Sequence, residues 1–428
     1  MNKPLTLVGI GCGGRTRTYC ELAAQQPHRY RIVAGADPDA ERVEQVRTTS
    51  RNPEFRSFAN AEVCFAAGRL GDVAIIGTQD AYHVEPALRA LELGYDLLLE
   101  KPVAPHPADV LRIRDTAQRL GRRVLVCHVL RYSPFYVQVK ALVASGVLGD
   151  IVSIDAREGV GDFHQAHSYV RGHWAKTANS TPMIIAKSCH DMDIMSWLVD
   201  RPCERVSSFG SLQHFTAAHR PAGAPARCTD GCPHATTCNY DAMRYAGRHR
   251  AWLSYVWNRG LSASQDEVRE WLATSPWGRC VYACDNDAVD HQVMSLEFAG
   301  GITGTFTMTA FDSGRNLTIC GTKGVLRGGE SMRHLTGGKD IVVSGHDGGH
   351  TYHEINYASG GYGGHMGADP GLIDALATEL AKPDPTTMRT GIDASVQSHL
   401  MGFAAEYSRQ HGGEVVNLAD YARDLKSQ

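Results

Sequence analysis

Short apolar runs alternate with longer amphipathic stretches from the beginning of the chain. Leu5 to Ile10 reads as a buried strand, Arg15 to Gln25 as a helix, Tyr30 to Ala36 as a strand and Asp39 to Arg47 as a helix. Strands at Val73 to Ile76, Leu97 to Leu99 and Val124 to His128 continue the series, with helices at Pro86 to Leu93 and Ala108 to Leu120 between them. Strand and helix in strict alternation with short connections predict a parallel, doubly wound sheet. Beyond residue 128 the pattern changes. Phe135 to Ser145 is an amphipathic helix, Gly146 to Ile154 returns to a strand, and Ile184 to Leu198 reads as one helix. Val281 to Phe298, Gly301 to Ala310, Asn316 to Cys320, Gly324 to Arg327 and Asp340 to Ser344 alternate like antiparallel strands. Leu372 to Ala381 and Ser395 to Gln410 close the chain as helices.

Chemistry concentrates where the first strands end. Gly9, Gly11 and Gly14 match G-x-G-x-x-G between a strand and a helix, the context that gives this motif its meaning. The first glycine permits the tight turn, the second lets backbone approach a pyrophosphate, and the third lets helix and strand pack closely. Asp37 ends the second strand at about the twenty-residue offset of a ribose-binding carboxylate. It would repel a 2′-phosphate, and Pro38 follows in place of an arginine, so the expected cofactor is NAD rather than NADP. The run Leu97-Leu98-Leu99 ends in Glu100-Lys101-Pro102. Proline holds Lys101 extended at the strand terminus, where ligands of open parallel sheets bind.

Together with Gly77-Thr78-Gln79-Asp80 and His83, these motifs resemble the Gfo/Idh/MocA family of NAD(P)-dependent oxidoreductases, and the resemblance covers essentially the whole chain. It implies an α/β fold: a Rossmann domain over residues 1–128, then an α/β domain over 129–428 with a large, mostly antiparallel open sheet. The outer face of that sheet would build a homodimer or homotetramer. The resemblance also implies that Thr78, Gln79, His83, Glu100 and Lys101 join Gly9, Gly11, Gly14 and Asp37 at the cofactor, and that Lys101 also meets substrate. Many relatives carry D-x-x-x-H in the second domain, with the histidine as acid/base. His190 matches the histidine, but Ala186 stands where the acid would be.

Lys187 and His190, three residues apart, would share one helix face, and Lys187 is expected as an added polar partner. Alcohol oxidation needs a base for the hydroxyl proton while hydride leaves the same carbon. A neutral histidine serves near neutral pH, and a lysine serves if a neighbouring cation depresses its pKa. The stretch Asp162 to Trp174 is poor core material. Its His164, His167, Tyr169, Arg171 and Trp174 suit a polyhydroxylated ring, whose hydroxyls need donors and acceptors and whose C–H faces pack on aromatic rings. His365, in a glycine-rich loop, is a further candidate. The expected activity is hydride transfer between NAD and a secondary alcohol of a sugar, sugar derivative or cyclitol. The alternatives are an NAD-dependent glycosidase working by transient oxidation and a non-catalytic sugar sensor.

Composition narrows the classes further. The 428 residues leave room for two or three domains at roughly 150 residues each. A hydrophobic fraction of 43% with net charge -3 is ordinary for a globular protein and points to neither nucleic acid nor membrane. The amino terminus shows no signal-peptide pattern, and a cytoplasmic setting is expected. Of the 12 cysteines most are scattered as buried thiols. Cys228, Cys232 and Cys238 cluster as C-x3-C-x5-C within an insertion over 214–278, after the linker-like Pro221 to Pro225. With Cys284, or with Cys203, Cys280 or His234 as other ligands, they are expected to hold a structural zinc. A disulfide, chance clustering and an iron–sulfur cluster are the other readings.

Overall fold

The computed structural model describes residues 3–357 and 363–427. Two sheets organise them. The first runs β1 (Leu5–Ile10), β2 (Tyr30–Ala36), β3 (Arg56–Phe58), β4 (Val73–Ile76), β5 (Asp96–Leu99) and β6 (Val124–Val126). Its order is 3-2-1-4-5-6 with every pair parallel. Leu97, Leu98 and Leu99 of β5 are fully buried, because helices cover both faces of the sheet. Strand order reverses between β1 and β4, so the carboxyl ends there open a crevice for a ligand.

The second sheet holds β7 (Ile151–Val160), β8 (Cys203–Ser211), β9 (His291–Phe298), β10 (Ile302–Thr309), β11 (Ser313–Gly321), β12 (Gly324–Gly329), β13 (Ile341–Gly345), β14 (His350–His353) and β15 (Val416–Asn417). The order is 14-13-12-11-7-10-9-8-15, antiparallel except for the β7–β10 pair. The helices Cys189–Val199 and Ile392–Gln410 lie over its inner face and supply Met192, Met195, Leu400 and Phe403 to the core. Among the described residues, no helix is long and apolar enough to cross a membrane.

Three expectations need correction. The strand expected from Val281 begins only at His291. Asp287 and Asp290 instead accept hydrogen bonds from the backbone N–H groups of Thr177, Gln213 and His214, which holds this segment in a loop. The helix expected over Ile184 to Leu198 is two, Met183–Ala186 and Cys189–Val199, with Lys187 and Ser188 in the break. The stretch Asp162 to Trp174, expected to be poor core material, is largely packed inside: residues 162–170 form helical turns, His167, Tyr169 and Arg171 are buried, and His167 and Arg171 lie against the insertion.

Candidate active site

The cofactor end is built by backbone. The helix Gly14–Ala24 follows β1 with Gly13 as its cap, no side-chain cap bond and no acid in its first turn. Its N–H groups and the positive end of its dipole are left for an anion. Gly11 has φ +76°, and a Cβ there would lie 2.8 Å from Thr78 N, so only glycine fits. The close helix–strand contact expected at Gly14 occurs at Gly9 instead. A Cβ on Gly9 would meet Thr16 at 3.1 Å, whereas one on Gly14 would meet nothing within 4 Å. Asp37 is fixed at both oxygens: Oδ2 accepts from Cys12 N at 2.8 Å and Oδ1 from Asp39 N at 2.9 Å. The carboxylate is thereby held against the glycine loop.

Glu100 and His83 act one layer further back. Glu100 Oε1 accepts from Arg15 Nε at 3.0 Å and from Tyr19 OH at 2.6 Å. Burial tends to raise this carboxyl, but Arg15 and Lys101 outweigh burial and hold it below the usual range. The His83 ring lies between the carbonyls of Pro102, 2.7 Å from Nδ1, and Thr78, 3.1 Å from Nε2. It ties the loop after β4 to the loop after β5. Thr78 Oγ1 donates to Tyr82 O at 2.8 Å, which shapes the same loop, and Gln79 precedes its short helical turn.

At the chemical end, Lys101 Nζ donates to the carbonyl of Ala186 at 3.0 Å. The break after Ala186 makes that carbonyl available, so backbone oxygen holds the lysine where an acid is missing from the side chain. His190 is 3% exposed, and among the described residues neither ring nitrogen has a hydrogen-bond partner. Burial first, then Lys101, hold its pKa well below the ordinary histidine value, so the ring is a neutral base. His365 stacks obliquely on it with ring centroids 5.4 Å apart, and His365 Nδ1 is 3.6 Å from Asp369. Gly360 to Tyr362 of the loop expected before His365 lie outside the described residues. His365 itself is in the short helix Gly363–Met366. Lys187 does not share a helix face with His190, because the break turns it to Glu158, 3.0 Å away. Arg315 binds both Glu158 (2.9 Å) and Asp191 (2.8 Å) beneath it.

The expected ring-binding residues divide. His164 feels Lys187 and Lys101 directly, both adding to burial in lowering its pKa. Tyr169 lies 5.9 Å from His164 and 6.0 Å from Trp174 between ring centroids, and Trp174 Nε1 donates to Asp80 Oδ2 at 2.8 Å. These three form one chain of rings that ends at Asp80. His167 and Arg171 are turned into the insertion. His167 Nδ1 meets Tyr245 OH at 2.7 Å, and Arg171 donates to the carbonyls of Arg279 (2.7 Å) and Tyr240 (2.6 Å).

The zinc site does not form. Among the described residues, no three His, Cys, Asp or Glu side chains could jointly hold a metal ion, and Cys228, Cys232, Cys238 and Cys284 are all free. Cys228 Sγ faces Arg171 Nη2 at 3.7 Å, Cys284 Sγ donates to Cys280 O at 3.3 Å, and His234 Nε2 meets Ala222 O at 2.8 Å. Burial raises the Cys228 thiol to about 11.

Residues 5–128 match the oxidoreductase family, NAD-binding Rossmann fold, and residues 140–417 match its C-terminal alpha/beta domain. The chain belongs to the Gfo/Idh/MocA oxidoreductase family. The Bacillus subtilis protein YteT is 25% identical over 266 residues, 60% of each chain. An inositol 2-dehydrogenase of Streptomyces avermitilis is 30% identical over 195 residues, 45% of this chain and 52% of that one. The chain thus spans about half the length of the curated relatives it matches. Solved structures share the fold over nearly the full length. An Agrobacterium radiobacter oxidoreductase in complex with NAD+, L-tartaric acid and magnesium aligns with TM-score 0.67 at 16% identity, covering 98% of this chain and 100% of that one. The WlbA dehydrogenase of Bordetella pertussis with NADH and UDP-GlcNAcA aligns with TM-score 0.65 at 17% identity, covering 97% and 99%.

Several site residues carried no flag in the sequence. Arg15 binds Asp369 at 2.7 Å as well as Glu100, and joins the two halves of the chain. A cation in the first turn opposes the helix dipole, and that mismatch was the available signal. Glu158 faces inward from β7 beside Ile154 and Ala156, a carboxylate in an apolar alternation. His128, two residues past β6, has its ring 5.9 Å from that of His190.

Proposed function

We propose that the protein is an NAD-dependent dehydrogenase of a secondary alcohol on a sugar, sugar derivative or cyclitol. One observation carries the reading: among the described residues the buried, neutral His190 has no hydrogen-bond partner at either nitrogen, and it feels the charge of Lys101 just past β5. An orphaned buried ring of this kind is costly unless a ligand supplies its partner. Gly11, the free helix amino terminus and Asp37 fit NAD, and the fixed Asp37 carboxylate opposes a 2′-phosphate. Bound NAD would accept the hydride. His190 takes the hydroxyl proton, and Lys101 orients the oxygen with the N–H bonds that Ala186 leaves free. Lys187 assists by holding Glu158 and by keeping His164 neutral. His164, Tyr169 and Trp174 present the polar edges and aromatic faces that a ring alcohol needs, as do the inositol and nucleotide-sugar ligands named for relatives and neighbours.

We further propose a division after residue 128, a cytoplasmic setting and a homo-oligomer. Support for the last is the outer face of the second sheet, where the register partners Phe209 and Val293 are 59% and 42% exposed. The test of function is NADH formation across free sugars, glycosides and inositols, for the parent and for Lys101→Ala. Turnover by the parent and its loss in the variant is the expected result. Sugar release from a glycoside with no NADH accumulating would replace this reading with the glycosidase.

A further inference from the structure

The insertion touches the cofactor half of the protein at a place remote from the chemistry. Asn258 Nδ2 donates to Glu41 Oε2 at 2.9 Å and approaches Asp39 Oδ2 at 3.3 Å. Asp39 caps the helix Ala40–Ser50, and its own N–H binds Asp37 Oδ1. Asn258 therefore grips the turn that carries the ribose-facing carboxylate. The insertion's other end reaches the substrate approach, where Trp252 packs on His164 and His167 with ring centroids 4.8 and 5.1 Å apart.

A column of stacked rings joins the two ends. Trp257, next to Asn258, stacks on Trp271 at 5.1 Å and 5°. Trp271 stacks on Trp277 at 5.6 Å and 19°, and Trp277 Nε1 donates to His167 O at 3.1 Å. The carboxamide is thus mounted on a rigid support rather than on a free loop. The crevice is crossed on its opposite side too, where Trp174 and Thr181 both donate to Asp80 Oδ2, at 2.8 and 3.2 Å. A dinucleotide lying between Asp37 and the loop after β4 is bracketed by these two crossings.

We propose that the insertion over 214–278 is a strap across the adenosine half of the cofactor, and that Asn258 is its latch, setting how long the dinucleotide stays bound. The inference rests on the NAD reading of the crevice. Its charge logic is specific. A carboxamide donates to two carboxylates, whereas a carboxylate in its place would face Glu41, which has no ion pair among the described residues, and Asp39, which Arg42 Nε shares at 3.3 Å. Release of the cofactor requires these bonds to open, so the latch acts on the dissociation rate.

The test loads the intact protein with NADH, chases with excess NAD+, and follows release by NADH fluorescence. No sugar substrate is required. Hydrogen bonds to carboxylates are among the stronger ones, so Asn258→Ala is expected to release NADH about tenfold faster. Asn258→Asp should be faster still, and the excess should shrink as salt screens the repulsion. Asn258 is exposed, so unchanged circular dichroism is expected for both variants. Arg31→Ala, which removes an exposed ion pair with Glu54 on the same domain, should leave the rate unchanged. Release from Asn258→Asp within about twofold of the parent would overturn the latch, since repulsion at that site would then not be felt. A parent that binds no NADH overturns this inference and the proposed function together. NADH bound and released as expected, with no ring oxidised in the panel, sinks the proposed function alone.

Discussion

His190 shows how a single side chain acquires chemistry from its surroundings. On a helix it is an ordinary histidine; below Lys101 and beside His365 it loses affinity for a proton. His190→Ala is expected to lower kcat by about 10²–10⁴, the usual contribution of a positioned acid/base, while NADH affinity measured by fluorescence titration stays at the parent value. Because burial and Lys101 hold the ring neutral, the acid limb of kcat/KM should lie below 6.5, the ordinary histidine value. A limb at or above that value would argue for a different base. Gly11 is the opposite case, a residue defined by having no side chain. Gly11→Ala must place a Cβ 2.8 Å from Thr78 N at a positive φ, which costs on the order of 1–3 kcal/mol. NADH binding should weaken by at least about tenfold. Both residues stand in recognisable motifs, so the sequence alone marked them as candidates. The neutrality of His190 was not, because it depends on side chains from four other segments.

Among the elements, the broken helix matters most. Period and propensity run unbroken from Ile184 to Leu198, and nothing in those fifteen residues announces a stop. The break is favoured by a partner from elsewhere, since Lys101 takes the Ala186 carbonyl. The same helix is anchored at its far side by Arg131, whose guanidinium binds Asp193 through Nε and Nη2, both at 2.7 Å. Their side chains are 7% and 1% exposed, so removing one leaves the other charge without solvent. Arg131→Ala is expected to cost about 3–5 kcal/mol, read as a fall in the urea midpoint. A shift near zero would mean that the crossover after β6 is not held by this pair.

Five histidines are held neutral, four of them buried and His164 partly so. His128, His164, His167, His190 and His399 all have lowered pKa values, with burial as the first cause. His167 and His399 are lowered to about 3. The unfolded chain takes up protons on these rings as pH falls through about 6.5, while the folded protein does not until far lower. The unfolded state then binds more protons, so stability must fall as pH drops from about 6.5 towards 3. Urea midpoints should decline steadily over that window. A flat or rising midpoint would show that these rings are hydrated in solution.

The first half of the protein was readable because its signals are local. The glycine turn is made by backbone within a few residues, Asp37 and Glu100-Lys101-Pro102 stand at strand ends that the pattern marks, and a buried parallel strand writes itself as an apolar run. The second half was readable only in class. An apolar period says which face is buried and not what buries it. Arg15 with Asp369, Lys101 with the Ala186 carbonyl, His167 with Tyr245 and Asn258 with Glu41 all join segments far apart in the chain. The cysteine spacing misled for the same reason. Proximity along the chain suggested a metal, but a ligand set needs side chains that converge in space, and among the described residues these do not.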